Sequence, residues 1–158
     1  MTNKLLLPNK FKLIGWCILI PATVAGIILT ITGYEAEWLS SRVFAIISES
    51  GLEDAKVFSM INANVTNTLV GTLFIIGALL VSFSKEKKED EFISNLRLSS
   101  LLWSVWVNYI LLLIAFIFIY GLAFFNVMVY NMFTVLIIFI IRFNYILYKS
   151  TKSMSDEK

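Results

Sequence analysis

Ser100, Ser104 and Asn108 recur at every fourth position of an otherwise apolar stretch. On a helix that spacing lines three hydrogen-bonding side chains along one face. A second apolar stretch carries Asn131, Thr134, Arg142 and Asn144. Polar groups held in hydrocarbon are the usual places where an ion, a ligand or another helix is recognised. Hydroxyls and carboxamides donate and accept without titrating, and a guanidinium adds a permanent positive charge. The chemistry on offer is therefore recognition of a polar or anionic group. Two readings of Arg142 stand. If its span stops at Ile141, Arg142 is an inner-edge anchor beside Tyr145, Tyr148 and Lys149. Otherwise it donates to Asn108 or Ser104, to an anionic substrate, or to a lipid headgroup.

What the sequence lacks narrows the choice. There is no His, which removes the commonest general base, metal ligand and near-neutral pH switch. The single Cys, Cys17, allows neither an internal disulfide nor a CxxC pair. Trp16 precedes it where a lipobox needs a small residue, so it reads as a small apolar side chain. No Gly-rich phosphate loop is present, and no basic stripe interleaved with aromatics points to nucleic acid. The remaining Ser, Tyr and Lys do not converge on a site. A non-enzymatic chain without cofactor or metal is expected.

The elements that position these residues follow from composition. Apolar residues make up 58% and charged residues 15%, whereas about a quarter of a soluble domain is charged. The apolar residues cluster in four runs, Leu13–Thr32, Val65–Phe83, Leu101–Tyr120 and Val127–Leu147. At a rise of about 1.5 Å per residue each reaches about 30 Å, one hydrocarbon thickness. Lipid gives backbone groups no partner, so each run must be helical. The fold expected is all-α, an integral-membrane four-helix bundle. Small residues give two of the runs close-packing faces: Ala22 and Gly26 with Thr30, and Gly71 and Ala78 with Ser82. Pro21 is expected to kink the first run. That run is too long for a signal h-region and reads as a retained first helix.

Eleven Lys and Arg flank the spans on one side, against two on the other. The positive-inside rule then places both termini in the cytoplasm. Residues 1–12, 84–100 and 148–158 fall inside, and residues 33–64 and 121–126 fall outside. The short outer turn makes the last two spans an antiparallel hairpin. Counted from their inner ends, Asn108 and Arg142 come to similar depth and are expected to face each other. The outer segment reads as a helical cap. Glu37–Ile47 forms one short helix, and a second starts at the capping box Ser50-Gly51-Leu52-Glu53. Its alternative role is a ligand or partner surface. The sequon Asn64-Val65-Thr66 lies at the membrane edge and is set aside.

The inner loop carries Lys85, Lys87, Lys88, Glu89, Asp90, Glu91 and, further on, Arg97. As a helical turn it would pair Lys85 with Glu89 and Lys87 with Glu91. As a site it would dock a protein partner. Its bases are offset by acids, which makes it a weak anionic-lipid site.

Two stretches carry a resemblance. One is Phe83-Ser84-Lys85-Glu86-Lys87-Lys88-Glu89-Asp90-Glu91-Phe92-Ile93 with Leu101-Leu102-Trp103 and Asn108-Tyr109. The other is Asn126-Val127-Met128-Val129-Tyr130-Asn131-Met132-Phe133-Thr134 with Ile141-Arg142-Phe143-Asn144. Together they resemble a group of small uncharacterised four-span inner-membrane proteins of Bacteroidota, mainly over residues 83–144. The group has no assigned activity to carry over. Some members are encoded near helix-turn-helix regulators, so the resemblance implies a bacterial inner membrane and a part in sensing or regulation. It identifies no functional residue.

Two functions fit. One is a small sensor, regulatory or accessory subunit in the lipid bilayer, acting through a membrane or cytoplasmic protein partner. The other is a small transporter or channel working as a homo-oligomer, anion-preferring if Arg142 lines the path. No Asp or Glu lies within a span, which argues against cation-coupled export.

Overall fold

Backbone groups without water must bond within their own segment, and the apolar runs become helices. In a computed structural model of the chain these are α1 (Lys10–Ile31), α2 (Thr66–Phe83), α3 (Glu91–Phe118) and α4 (Leu122–Asp156). The structure describes residues 6–32, 39–48, 56–87 and 89–156. All four helices are long and apolar enough to cross a membrane. Pro21 lies inside α1, whose helix runs through it. Both α3 and α4 outrun the apolar stretches that announced them. α3 starts ten residues before Leu101, and α4 continues beyond Leu147 to Asp156.

The segment before α2 departs from expectation. Ser40–Ser48 forms strand β1 and Lys56–Asn64 forms strand β2, paired antiparallel with Val43 opposite Ile61 and Phe44 opposite Met60. The expected helix over Glu37–Ile47 is therefore corrected to a strand over its described part, and the helical cap to a β-hairpin. The expected capping box at Ser50–Glu53 lies outside the described residues. The physical reason is composition read in pairs. Val43, Phe44, Ile46 and Ile47 fit either period, but Val57, Phe58 and Ile61 supply a second β-favouring run for the first to pair with. Phe58 sits at φ 53, a left-handed conformation strained for an aromatic residue. Its ring lies 6.1 Å from that of Phe44.

By its contacts the chain divides into two compact units, Ile18–Phe74 and the pair Met1–Cys17 with Ile75–Lys158. In the first unit the hairpin is tied to the start of α2. Leu39 N donates to Thr66 Oγ1 at 3.2 Å, and Val65 N donates to Leu39 O at 2.9 Å. Asn64 Oδ1 accepts from Thr66 N at 3.0 Å, which is what the sequon asparagine does here. Leu19, Ala22 and Leu29 are the buried apolar residues of this unit.

In the second unit the N-terminal segment runs beside the charged loop. Leu7 N donates to Phe83 O at 2.9 Å, and Lys85 N donates to Leu7 O at 2.8 Å. Asn9 Nδ2 donates to Lys85 O at 2.7 Å, and Lys12 pairs with Glu86. The start of α1 meets the end of α2 at Gly15. A Cβ there would lie 2.9 Å from Leu80 Cβ and from the Val81 backbone nitrogen. The remaining core is the α3–α4 hairpin, turned by Gly121 at φ +69.

Candidate functional site

The buried residues of α3 are Ile93, Leu96, Arg97, Ser100, Ser104 and Asn108. Their spacing of three, one, three, four and four is one helical stripe, so the expected polar line of Ser100, Ser104 and Asn108 does share a face. It also continues backward to Arg97. Asn108 is 2% exposed and exchanges two hydrogen bonds with Asn131 of α4. Asn108 Nδ2 donates to Asn131 Oδ1 at 3.4 Å, and Asn131 Nδ2 donates to Asn108 Oδ1 at 3.2 Å. Each carboxamide is thus donor and acceptor to the other. Ser104 Oγ donates to Leu101 O at 2.8 Å. The hydroxyls of Ser82 and Ser100 are buried without a hydrogen-bond partner.

Asn108 therefore faces Asn131, and the expected meeting of Asn108 with Arg142 is corrected. The reason is register. An expected turn over residues 121–126 puts the centre of the hairpin near residue 124. The helices instead break over only Ile119–Gly121. A centre near residue 120 brings Asn108 opposite Asn131 and Arg142 to the level of Leu98, from which its long side chain, tilted toward the start of α4, reaches Trp103. There the guanidinium carbon of Arg142 lies 4.3 Å from the centre of the Trp103 ring. Asn144 turns back on its own helix, with Nδ2 donating to Ile140 O at 2.8 Å. Thr134 Oγ1 likewise donates to Tyr130 O at 2.9 Å.

Arg97 is the polar centre of the other end of the hairpin. Its Nη2 donates to Ser84 O at 3.1 Å and to Glu89 Oε2 at 3.4 Å, and its Nη1 lies 3.2 Å from Glu89 Oε1. Its guanidinium carbon stands 5.3 Å from the centre of the Phe143 ring, which packs parallel to Phe139 at 5.8 Å. Burying a charge requires such partners, because an unpaired guanidinium would be expensive to dehydrate. Asp90 begins α3 as its N-cap, accepting from Ile93 N at 2.8 Å. Glu89 also accepts from Glu86 N at 2.9 Å.

These contacts occupy much of the loop whose alternative reading is a partner-docking site. Lys85 uses its backbone on the N-terminal segment, Glu86 its carboxylate on Lys12, Glu89 its carboxylate on Arg97, and Asp90 its carboxylate on the helix end. The helical pairing of Lys85 with Glu89 does not form, because the helix starts only at Glu91. Lys87 and Glu91 are exposed, and Lys88 lies outside the described residues. Of the small residues singled out for packing, Ala22 and Ala78 are buried, and Gly26 and Gly71 are half-buried. Gly15, the tightest glycine contact among those described, is one the spacing rule does not reach. Its only sequence signal is a glycine seven residues before Ala22, on the same face.

Beside the Trp103–Arg142 stack, an open groove of about 370 Å³ runs along α3, lined by Asn95, Ser99, Leu102 and Trp106 among others. Its polar groups are amide, hydroxyl, indole and guanidinium. No group of three or more potential metal ligands exists among the described residues. No protein-family model matches the chain, and no curated protein or solved structure matches it either.

Proposed function

We propose that this chain is a non-enzymatic accessory or regulatory subunit of a bacterial inner membrane, acting through a protein partner. Both termini lie in the cytoplasm in this reading, and the four helices gather as a bundle. The supporting observation is how the intramembrane polar groups are used. Asn108 and Asn131 bond each other, and Ser104, Thr134 and Asn144 donate to backbone carbonyls of their own helices, which leaves the buried hydroxyls of Ser82 and Ser100 without a partner. A transport path would need such groups turned toward a passing ion. Meanwhile the outward faces of α3 and α4 are rich in exposed aromatics, including Tyr109, Phe116, Phe118 and Tyr145. Helix faces of this kind suit lipid or the spans of another subunit.

The test is isolation of the tagged chain from its native membrane in mild detergent, with the intact mass of the complex measured. A defined protein partner at fixed stoichiometry is the result expected. A homo-oligomer with no partner would overturn the reading in favour of a channel or transporter. Anion flux into liposomes, lost in Arg142→Ala and Asn108→Ala, would then be the next observation to seek.

A further inference from the structure

Arg142 is the one charged residue lining the α3 groove, and unlike Arg97 it has no carboxylate beside it there. Its Nε is buried without a hydrogen-bond partner, and its guanidinium face is stacked on Trp103. No carboxylate lines the groove; Asn95 and Ser99 are the other polar groups there. The positive charge is therefore held in place but not neutralised within the groove. The rest of the lining is apolar and open, with Leu102 57% exposed and Trp106 71% exposed. A small soluble anion would need the cation but gains nothing from Leu102 and Trp106. A molecule with an anionic head and an apolar chain would use both.

Depth agrees with that partner. About 20 helical residues cross the hydrocarbon, and counting that number back from Phe118, the end of α3, reaches Ser99. Arg142, Trp103 and Ser99 thus fall at the boundary where headgroups begin, and Trp favours that layer. Lys149 lies two turns further along the same face of α4 and adds positive charge on the headgroup side.

We propose that the Trp103–Arg142 groove is a binding site for an anionic phospholipid. The phosphate sits against the free edge of the Arg142 guanidinium, with Asn95 and Ser99 within the headgroup region. One acyl chain lies along Leu102 and Trp106. The site is independent of the subunit reading above and would hold equally in a transporter.

The experiment uses the full chain with Trp16→Phe and Trp38→Phe, which leaves Trp103 and Trp106 as the emitting residues. It is reconstituted in phosphatidylcholine vesicles containing increasing fractions of dibrominated phosphatidylglycerol, and quenching of indole fluorescence is followed. Dibrominated phosphatidylcholine gives the reference curve. The expected result is a preference of about fivefold for the anionic lipid, the strength one basic residue carries at a charged membrane surface. Arg142→Ala is expected to bring the ratio close to one, and Arg142→Lys to keep part of it. Ser99→Ala, which removes a hydroxyl from an exposed position, provides a well-folded variant with an intermediate ratio. A ratio near one in the unmutated groove overturns the proposal. So does relief of quenching by millimolar inorganic phosphate, which would make the site one for a free anion.

Discussion

Removing the Asn108–Asn131 pair tests the register of the α3–α4 hairpin directly. The two bonds measure 3.4 and 3.2 Å, longer than the usual 2.9–3.0 Å of an N–H···O bond. Interhelical hydrogen bonds in membranes average about 0.6 kcal/mol and reach about 1.7 kcal/mol. Two long bonds of this kind are worth about 1 kcal/mol together. Asn108→Ala also leaves Asn131 with unmatched groups, but Asn131 is only half-buried and can turn toward other partners. The single substitution is therefore expected to destabilise the hairpin by about 1–2 kcal/mol. The assay is reversible unfolding in mixed micelles of increasing SDS fraction. It is run on the wild type, Asn108→Ala, Asn131→Ala and the double variant. The coupling energy from that cycle is expected at about 1 kcal/mol. A parallel cycle of Asn108→Ala with Arg142→Ala is expected to show none, since those residues occupy different levels. A first coupling within the usual additivity error of about 0.5 kcal/mol, or a larger one in the second cycle, would refute the register.

Further outcomes follow from the packing at four positions. Arg97→Ala is expected to lower stability by about 2 kcal/mol, less than a fully enclosed ion pair because the Glu89 side chain remains 22% exposed. Arg97→Lys is expected to recover under half of that, since a compact ammonium lacks the planar fork that spans both Glu89 oxygens and the flat face over Phe143; the same SDS titration reads it. Gly15→Ala is expected to destabilise by about 1–3 kcal/mol, because the new methyl would stand 2.9 Å from the backbone nitrogen of Val81. Gly26→Ala meets only Val70 Cγ1 at 3.9 Å and is expected to be neutral or to stabilise by about 0.5 kcal/mol. Gly121→Ala has open space around it but must hold φ near +69, so a loss of about 1 kcal/mol is expected, visible as faster exchange of amides flanking the turn.

Which parts of this structure could be read from residues alone follows from the forces involved. The four helices are dictated by hydrocarbon length and by the need to bond every backbone group, and runs such as Leu101–Tyr120 state that need without ambiguity. Hydrophobicity says much less about which face of each helix turns inward, because in lipid a buried Leu and a lipid-facing Leu are in equivalent surroundings. On α3 it is the polar residues at helical spacing that mark the inner face, while Asn95 and Ser99, off that spacing, are exposed. Arg97, Ser100, Ser104 and Asn108 form one stripe, and all four are buried. Reading Arg97 as a loop charge missed that it obeys the same period, being seven residues before Ser104 and eleven before Asn108. Register was lost for a different reason. Inner ends of spans are blurred by charged helical extensions such as Glu91–Ser100, whereas the turn is fixed by one glycine at positive φ. Counting outward from the break at Ile119–Tyr120 pairs Asn108 with Asn131. The hairpin β1–β2 was missed because strand identity belongs to a pair of segments. Val43 to Ile47 read alone suits either period, and the matching run at Val57 to Ile61 is what decides it. Arg142 lies where both kinds of information end. Its sequence position fits an edge anchor, and its stack on Trp103 above an unneutralised groove gives that anchor a specific thing to hold.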